Sequence, residues 1–455
     1  MPRFSANFKA ALQSYGSLPA PLFTVMDVGW NGVAAARYTE DVPSSALMVS
    51  AASPRIQAGK VATITSQVSQ RVGDLGRQTH TVSLIDTDGA ITSLLTGRYD
   101  QRRASVVLRW GLPGIAETDW FTAFTGVLND YAWTPGSVEL QTSTDDRTLR
   151  GSIPHRQILK GWAPYAPASA LGKYLPIVLG THNSQSLGGT GMIPLIPHSL
   201  DATNGYLYVV SLTGILAVNR VFKAGAQLTA GTSANQWQAS TVTLGGNTFT
   251  SVKISSPSPV LTDQDVITAD VDGVTDTLTS AGNLLSSPAD QLRWLLNHVV
   301  YNDTDGATAY SNAPVDNSAF GLAAAYLSAF RQEGSAYVGG AIDQIAATSY
   351  ISDWLRSNLM IRARWSNLGL LGIFALDHRW APYYNDYWFT GDELDRNVSF
   401  KTASEGLASR IQTTYQHDQA NSKYWGALEV QDLARWQVEK ITESYDLLYA
   451  AARAS

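Results

Sequence analysis

The sequence predicts a mainly β, multidomain protein of the α+β class, and three observations support this. With 455 residues the chain is longer than one hydrophobic core usually accommodates, so several domains are expected. Short apolar runs separated by Gly, Asp and Pro fill most of residues 22–144 and recur within residues 174–262, as is typical of antiparallel strands. Helical spacing of apolar residues is concentrated near the N-terminus and beyond residue 286.

The first predicted domain, residues 1–155, begins with a short helix. Apolar residues recur at helical spacing from Phe4 to Leu12, and Gly16 ends the pattern. Strand-like runs then follow at residues 23–28, 33–38, 61–68, 81–85, 106–110, 120–128 and 138–142. Their punctuation by turn residues predicts an antiparallel β-barrel or sandwich.

The second predicted domain, residues 156–285, is an inserted all-β module with very little charge. Between residues 174 and 262 the charged side chains are Asp201, Arg220, Lys223 and Lys253. Strands are expected at residues 207–210 and 249–254, where β-branched and aromatic residues are enriched.

The third predicted domain, residues 286–455, is expected to be α+β. Ser287 suits an N-cap, Pro288 the first helical position and Asp290 the positive first turn, so a helix is predicted from there. Further helices are expected at residues 320–330, 341–355 and 433–452, a hairpin at 361–376, and a strand at 411–415.

Composition argues against several classes of function. The formal net charge is −6 and the pI about 5.6, so the chain lacks the positive field that neutralises phosphates, and no specific nucleic-acid binding is expected. Cysteine is absent from the sequence, which removes disulfides, thiolate metal sites and cysteine nucleophiles. We expect neither a signal peptide nor a transmembrane segment, because no sufficiently long apolar run occurs.

No residue pattern indicates catalysis, so the chain is predicted not to be an enzyme, with no catalytic, cofactor-binding or metal-binding residues and no cofactor. The seven histidines never occur at metal-ligand spacing, and neither a nucleophile elbow nor a phosphate-binding loop is found. The Gly-rich residues 188–191 are interpreted as a mobile loop. Glycoside hydrolysis needs two facing carboxylates, and no glutamate lies between residues 140 and 332.

Three Asp-x-Asp-Gly segments, at residues 86–89, 270–273 and 303–306, raise the question of calcium binding. An EF-hand loop needs a bidentate carboxylate at its twelfth position, where these segments have Gly97, Ala281 and Pro314. Tight turns between strands, which favour Asp and Gly, are therefore the preferred interpretation.

Two clusters of side chains suit protein interfaces. The basic cluster consists of Arg98, Arg102, Arg103 and Arg109 and is expected on a solvated strand face or in subunit ion pairs, in preference to nucleic-acid contact. Aromatic residues crowd the C-terminal domain at Trp365, Trp380, Tyr383, Tyr384, Tyr387 and Trp388. Such side chains suit subunit contact or sugar stacking.

The sequence resembles tail proteins of long-tailed, siphophage-type phages, in particular the hub-like proteins of the tail tip or baseplate. The resemblance covers about residues 20–415, and its segments are residues 95–100 (LTGRYD), 106–111 (VVLRWG), 121–130 (FTAFTGVLND), 140–147 (LQTSTDDR), 175–180 (LPIVLG) and 283–292 (NLLSSPADQL).

This resemblance implies a virion structural protein. Such hubs use tail-tube-like β-barrel domains around a lumen and usually form trimeric homo-oligomeric rings. They close the tail tube and contact the distal tail protein, the tape measure and a central fibre or receptor-binding protein. The chain is accordingly expected in the virion, at the tail tip, after assembly in the host cytoplasm. Many hubs continue into fibre-like extensions, whereas this sequence stops at Ser455, so fibre functions are expected in separate chains.

Two rival functions remain open at the level of sequence. A tail-associated carbohydrate-binding or carbohydrate-degrading, depolymerase-like protein would place exposed aromatics and paired carboxylates in one cleft. A bacterial surface or secreted β protein would ordinarily carry an export signal, and none is recognised here.

Overall fold

The structure is a computed structural model, and it confirms the predicted mainly β, multidomain fold class. It describes residues 5–15, 22–40, 52–61, 65–66, 75, 78–184, 189–244, 247–276, 282–301, 313–329, 334–357, 361–375, 410–418, 423–431 and 440–444.

The chain divides into two compact units. The first comprises Met1–Asp146 and Met360–Phe400, and the second comprises Arg147–Leu359 and Lys401–Ser455. The second unit therefore interrupts the first in sequence. The three-domain division at residues 155 and 285 stays a prediction.

The first unit is built on eight strands that match most of the predicted runs. Strands β1 to β8 are Phe23–Gly29, Ala36–Glu40, Ser53–Val61, Thr65–Ser66, Gln78–Ile85, Ser105–Gly111, Phe121–Thr134 and Ser137–Ser143. Two predicted runs are displaced: the strand expected at 33–38 begins at Ala36, and the run at 61–68 corresponds to the end of β3 and the short β4.

These strands close into a barrel. The order is β3-β2-β1-β6-β7-β8-β5, β3 also pairs with β5, and β4 extends β5. All pairs are antiparallel except β2 with β3. The pairing of β3 with β5 satisfies the backbone of both would-be edges, so among the described strands of this sheet only the two-residue β4 lacks a second neighbour.

The barrel interior is filled by alternating strand residues, among them Met26, Leu84, Leu108, Phe124 and Leu140. The short helix α2 (Ala90–Leu95) adds Ile91 and Leu95 to the same core, so it covers one end of the barrel.

Two further elements complete the first unit. The predicted N-terminal helix, α1 (Ala6–Ser14), is capped by Ser5, whose side chain accepts a hydrogen bond from the Phe8 amide. The predicted hairpin is formed by Ile361–Trp365 and Leu371–Ala375, and the Trp365 carbonyl accepts a hydrogen bond from the Gln78 side chain.

The second unit contains two larger sheets. Strands β9 to β21 are Ser152–Ile153, Ile177–His182, Ile193–Pro194, Ile196–Asp201, Gly205–Ser211, Ile215–Lys223, Ala226–Leu228, Trp237–Leu244, Asn247–Ile254, Ile267–Asp276, Asn283–Leu284, Ser335–Val338 and Ile345–Ala346. One sheet has the order β15-β14-β18-β10-β20, with β11 and β19 also paired to β18, and the other has the order β12-β13-β17-β16. Residues of both sheets share one hydrophobic core.

Helices follow the sheets. They are α3 (Pro288–Leu295), continued by a π-helical turn Leu296–Val300, α4 (Asn317–Ala329) and α5 (Ala347–Ser357). Ser287 occupies the N-cap of α3 as predicted, although its side chain makes no capping bond. None of the helices in the described ranges is long and apolar enough to cross a membrane.

The structure corrects one of the helices predicted near the C-terminus. With β22 and β23 as the strands of the 361–375 hairpin, β24 to β26 are Arg410–Asp418, Lys423–Gln431 and Lys440–Ser444. Strand β26 pairs in parallel with β24, so the helix predicted over 433–452 is wrong at its centre. Ile441 and Thr442 are β-branched, which favours the strand, and the remainder of that range lies outside the described residues.

Candidate interaction surface

The structure brings no metal-binding constellation together among the residues it describes. No group of three or more His, Asp or Glu side chains there is arranged to hold a metal ion. His182 and His198 are buried, and burial lowers the pKa of each to about 4, so both are neutral core residues at neutral pH.

The first Asp-x-Asp-Gly segment is a turn, but it leads from a strand into a helix. The Asp86 carboxylate accepts hydrogen bonds from the amides of Ile91 and Thr92, both at 2.8 Å, and from the Thr92 hydroxyl at 2.5 Å. Burial alone would raise the pKa of Asp86, and these hydrogen bonds outweigh it, so the pKa lies below its ordinary value. Asp86 therefore anchors α2 to the barrel, and its oxygens are already occupied.

The second segment is not a turn, which corrects the prediction. Residues 270–273 lie inside β18, and Asp270 is fully buried. Its carboxylate pairs with Arg220 and accepts hydrogen bonds from the Ser184 amide at 3.0 Å and the Met192 amide at 3.2 Å. A buried charge with a partner of opposite charge is tolerated within a strand, and the local Asp-Gly pattern cannot reveal that partner. The third segment, 303–306, lies outside the described residues.

Asp270 also organises the Gly-rich stretch that the sequence suggested to be mobile. The Ser184 hydroxyl donates to Asp270 at 2.9 Å and accepts a hydrogen bond from the Gly191 amide at 3.0 Å. The Gly189 amide donates to the Ser184 carbonyl at 2.9 Å. Residues 189–191 are thus held by a buried carboxylate, while residues 185–188 lie outside the described residues.

The predicted basic cluster is divided between two places. Arg109 donates to Asp27 at 2.8 Å and to Glu117 at 3.2 Å on the outer face of the barrel. Arg37 joins the same two carboxylates, and hydrogen bonding to Asp27 raises the pKa of Arg37. These two arginines and two carboxylates neutralise one another within the chain, and ion pairing between subunits stays a prediction. The other three arginines lie in the loop after α2.

One end of the barrel carries exposed aromatic side chains. Strand β7 runs past the closed part of the barrel and forms a hairpin with β8, turned by Pro135 and Gly136. Gly136 has a φ of +83°, which the second central position of a type II turn requires. The register shifts between Leu128 and Asp130, so that one extra residue is inserted in β7.

This β-bulge directs the aromatic residues. Beyond it, Tyr131 pairs with Leu140 and Trp133 pairs with Val138, both of which face the barrel core. Tyr131 and Trp133 consequently lie on the core-facing side of β7, past the last residue of β7 that pairs with β6. Their rings stack with centroids 5.8 Å apart, and Trp133 is 54 % exposed.

The loop after α2 lies at the same end. The Tyr131 hydroxyl donates to the Leu95 carbonyl at 3.2 Å, which ties the hairpin to the end of α2. Tyr99 is 46 % exposed and packs over Gly32, where a Cβ would lie 2.5 Å from the tyrosine ring. The Arg98 guanidinium lies 5.9 Å from the centre of that ring, within the range of a cation–π contact.

We name Arg98, Tyr99, Tyr131 and Trp133 the barrel rim surface; Arg98, Tyr99 and Trp133 are exposed, and Tyr131 is half-buried against the barrel core. Tryptophan, tyrosine and arginine dominate the binding energy of protein interfaces because they bury large areas at low entropic cost. An exposed indole and an exposed phenol beside arginine are therefore arranged to contact another macromolecule. The sequence analysis singled out Arg98 but missed Trp133. Its signal was the Pro135-Gly136 turn, which places the tryptophan beside a hairpin tip.

The aromatic cluster predicted in the C-terminal domain is only partly described. Trp365 is buried on β22, where it contributes to the first unit. Trp380, Tyr383, Tyr384, Tyr387 and Trp388 lie outside the described residues.

The chain has little similarity to known proteins. No protein-family model and no curated protein matches the chain. Among solved structures, a chain described as "Virion of native gene transfer agent (GTA) particle" is similar at 15 % identity and a TM-score of 0.25, over 55 % of this chain and 84 % of that one. A TM-score this low supports no argument about fold or function.

Proposed function

We propose that this chain is a structural protein of a phage-type virion, acting as the hub of the tail tip or baseplate. In this role it closes the tail tube, forms a homo-oligomeric ring of three copies, and joins the ring to the distal tail, tape-measure and fibre or receptor-binding proteins. It acts by binding and has no hydrolase activity.

The observation that supports this proposal most strongly is the closed barrel with an aromatic rim. Four of the segments that resemble tail hubs lie on consecutive elements of that barrel. Residues 95–100 begin at the last residue of α2 and continue into the loop after it. Residues 106–111 lie on β6, residues 121–130 form the first part of β7, and residues 140–147 include the end of β8. The resemblance thus concentrates on the elements that build the barrel rim surface.

The geometry also favours a particular kind of association. Because the barrel is closed, its described strands other than the two-residue β4 have no unpaired edge, and a neighbouring subunit is held through side chains. The rim presents those side chains on a rigid support: Tyr131 is bonded to Leu95, and Tyr99 is packed on Gly32. Rigid aromatic groups lose little conformational entropy on binding, which suits a ring that must withstand mechanical load.

The test replaces Trp133 with alanine. Removing an exposed side chain should change the melting temperature little, whereas loss of a central interface tryptophan should weaken assembly by about 2 kcal/mol or more. Light scattering and electron microscopy on the purified chain, alone and with its tail proteins, measure the assembly.

Tyr165→Ala is the matched control, because Tyr165 is a 48 % exposed aromatic residue in the second unit. The proposal is contradicted if both variants assemble like the unmodified chain, or if the chain is absent from purified particles analysed by mass spectrometry. Hydrolysis of capsular or cell-wall polysaccharide by the pure chain would instead support the depolymerase-like alternative.

A further inference from the structure

The loop between α2 and β6 carries positive charge that its own chain leaves uncompensated. Arg98, Arg102 and Arg103 are exposed there. Arg102 pairs with Asp100 at 3.2 Å, whereas Arg98 and Arg103 make no ion pair with any residue that the structure describes. The two arginines on the outer face of the barrel, by contrast, share two carboxylates of the same chain. Two positive charges at this end of the barrel are therefore available to a partner.

Hydrogen bonds hold this loop against the barrel. The buried Gln101 side chain accepts a hydrogen bond from the Asn31 amide at 2.7 Å and donates to the Asn31 carbonyl at 3.1 Å. The Arg103 amide donates to the Leu128 carbonyl at 2.6 Å. Arg103 also has a φ of +80°, in the left-handed region where a side chain is unfavourable and glycine is favoured. An exposed charge held in this conformation favours a contact outside the chain.

A pair of carboxylates lies on the other side of the β7–β8 hairpin. On the core-facing side, the Tyr131 hydroxyl is bonded to the carbonyl of Leu95, the last residue of α2, where the arginine loop begins. Asp130 and Glu139 are offset by one position from the core-facing residues of their strands, so they lie on the outward side. The basic and acidic groups thus occupy different sides of the same end of the barrel.

These two carboxylates are also uncompensated. Asp130 and Glu139 are exposed, and neither forms an ion pair within the part of the chain that the structure describes. Their strand partners are neutral: Gln141 lies opposite Asp130, and Ala132 and Ser83 lie opposite Glu139. Because the two carboxylates are diagonal neighbours across the hairpin, their like charges repel, and a cation from another chain would relieve that repulsion.

We propose that copies of this chain meet head to tail at this end of the barrel, with the outward carboxylates of one copy bound to the arginine loop of the next. Asp130 and Glu139 of one β7–β8 hairpin face Arg98 and Arg103 of the neighbouring copy. A guanidinium binds a carboxylate through two parallel hydrogen bonds, which fix orientation as well as distance. The inference rests on the proposed function, since it specifies how successive copies in the ring contact each other.

A second copy fits these groups better than another partner does. The uncompensated charges match in number and sign, with two positive on the loop and two negative on the hairpin, as complementary surfaces require. Because the two groups lie on different sides, each copy offers one of them to each neighbour, and a head-to-tail contact of this kind generates a ring when the rotation between copies closes. A nucleic acid would find too few positive charges here to neutralise its phosphates.

The charges and the aromatic side chains have different roles in this contact. Exposed ion pairs contribute little affinity, but they select the partner and fix the register. Tyr99 and Trp133 supply contact area, since both are exposed at this end of the barrel. Reversing the charges should therefore prevent the head-to-tail arrangement, whereas loss of Trp133 should weaken any arrangement that uses the rim.

Charge reversal and its rescue test the contact. Asp130→Lys with Glu139→Lys sets positive charges against each other, and Arg98→Glu with Arg103→Glu sets negative charges against each other. Each double variant should raise the protein concentration at which the ring dissociates by about tenfold or more. The variant with all four changes restores opposite charges and should assemble like the unmodified chain. Light scattering over a dilution series measures the mass of the assembly.

Lys160→Glu with Asp263→Lys is the matched control, because both residues are exposed in the second unit and one charge of each sign is reversed. It should leave the assembly unchanged. Arg103→Gly adds a separate readout. It removes one charge and relieves the left-handed backbone, so it should weaken assembly while the melting temperature stays near that of the unmodified chain. Melting curves confirm that each variant is folded.

Cross-linking tests the direction of the contact, and the absence of cysteine from the sequence makes it specific. Ala132→Cys places a thiol beside both carboxylates, and Arg102→Cys places one in the loop while both uncompensated arginines remain. With a short bismaleimide reagent, the chain carrying both changes should give linked species of up to three copies. Ala132→Cys alone should stay unlinked, because two hairpins do not meet in a head-to-tail contact.

Three results would overturn the proposal: a charge-reversed double variant assembles like the unmodified chain, the variant with all four changes is not restored, or Ala132→Cys alone gives linked pairs, which indicate a two-fold contact. If Trp133→Ala weakens assembly and charge reversal does not, the proposed function stands and the head-to-tail ion pairs are refuted. An unmodified chain that stays monomeric with its tail proteins contradicts both.

Discussion

The first unit closes its main sheet into a barrel, whereas the β12-β13-β17-β16 sheet of the second unit stays open. In the barrel every strand except the short β4 has two neighbours, so its outward contacts are made by side chains. In the open sheet one edge is blunted by Pro197 and the other is left bare at Ala239 and Thr241. Barrel closure thus leaves contact to side chains, whereas the open sheet ends in two strands, β12 and β16, that each have one neighbour in that sheet.

The two units also differ in the interactions that stabilise them. The barrel relies on closure around an apolar core. In the second unit the buried Asp270, paired with the partly exposed Arg220, ties β14 and β18 to the residues around Ser184. Removing one partner of such a polar network costs stability because the remaining buried group is left without a hydrogen-bond partner, a cost that an apolar core does not have.

Among single substitutions, the largest expected effect is that of Asp270→Ala. The substitution removes the partner of Arg220 and leaves the amides of Ser184 and Met192 without their acceptor, so the second unit should lose about 3–5 kcal/mol of stability. Limited proteolysis should show faster cleavage near residues 184–192 while barrel fragments persist. Equal protection of this segment in the variant would show that Asp270 is not its anchor.

Acidification should destabilise the second unit more than the barrel. The pKa of His182 and of His198 is about 4 in the folded chain, against about 6.5 unfolded, so the unfolded chain binds more protons between these values. Stability is complete above pH 6.5 and falls as the pH drops toward 4, by on the order of 3 kcal/mol for each histidine.

Melting temperatures at several pH values, with proteolysis to assign each transition, measure this effect. The double variant His182→Gln with His198→Gln should flatten the loss between pH 6.5 and 4. If the melting temperature of the barrel fell by the same amount between pH 6.5 and 4, the two units would not differ in their response to acid.

The Asp86 carboxylate in the barrel responds at lower pH. Its pKa lies below the ordinary value for aspartate, so its contribution to stability is lost only as the pH falls below that ordinary value.

The smallest effect should come from Asp86→Ala in the barrel. It removes the acceptor for the Ile91 and Thr92 amides at the start of α2, which should cost about 1–2 kcal/mol. Hydrogen exchange of residues 90–96 measures the loosening of α2. Since α2 ends at Leu95, whose carbonyl accepts from Tyr131, the variant should also weaken assembly through the rim. Unchanged exchange there would refute this anchoring role.

Much of the fold could be predicted from local pattern. The alternation of apolar and polar residues predicted β1, β6 and β8 to within a few residues of their ends. The helix-start signals at Ser287 and Pro288 predicted the first residue of α3. Local pattern left a barrel and a sandwich as alternatives, because the pairing of β3 with β5 that closes the barrel is a long-range contact without a local signal. The helix expected over 433–452 failed at β26 because short apolar runs fit both periods.

The candidate surface was less predictable for a similar reason. Trp133 points along the core-facing row only because of the β-bulge after Leu128, and a bulge has no clear sequence signature. Asp270 looked like a turn residue, since its partner Arg220 lies on another strand, 50 residues away. Both cases depend on which strands meet in space.

The order of the units along the chain has a consequence for synthesis. The first unit takes the hairpin Ile361–Trp365 and Leu371–Ala375 from beyond the second unit, and Trp365 and Asn367 on it bond to Gln78 and Thr122 of the barrel. At about 5–20 residues per second, a ribosome needs roughly 10–40 s to translate the intervening Arg147–Leu359. During that interval the nascent barrel stands without the hairpin that packs on it, so a chaperone or an already folded neighbour has time to engage it before the hairpin arrives.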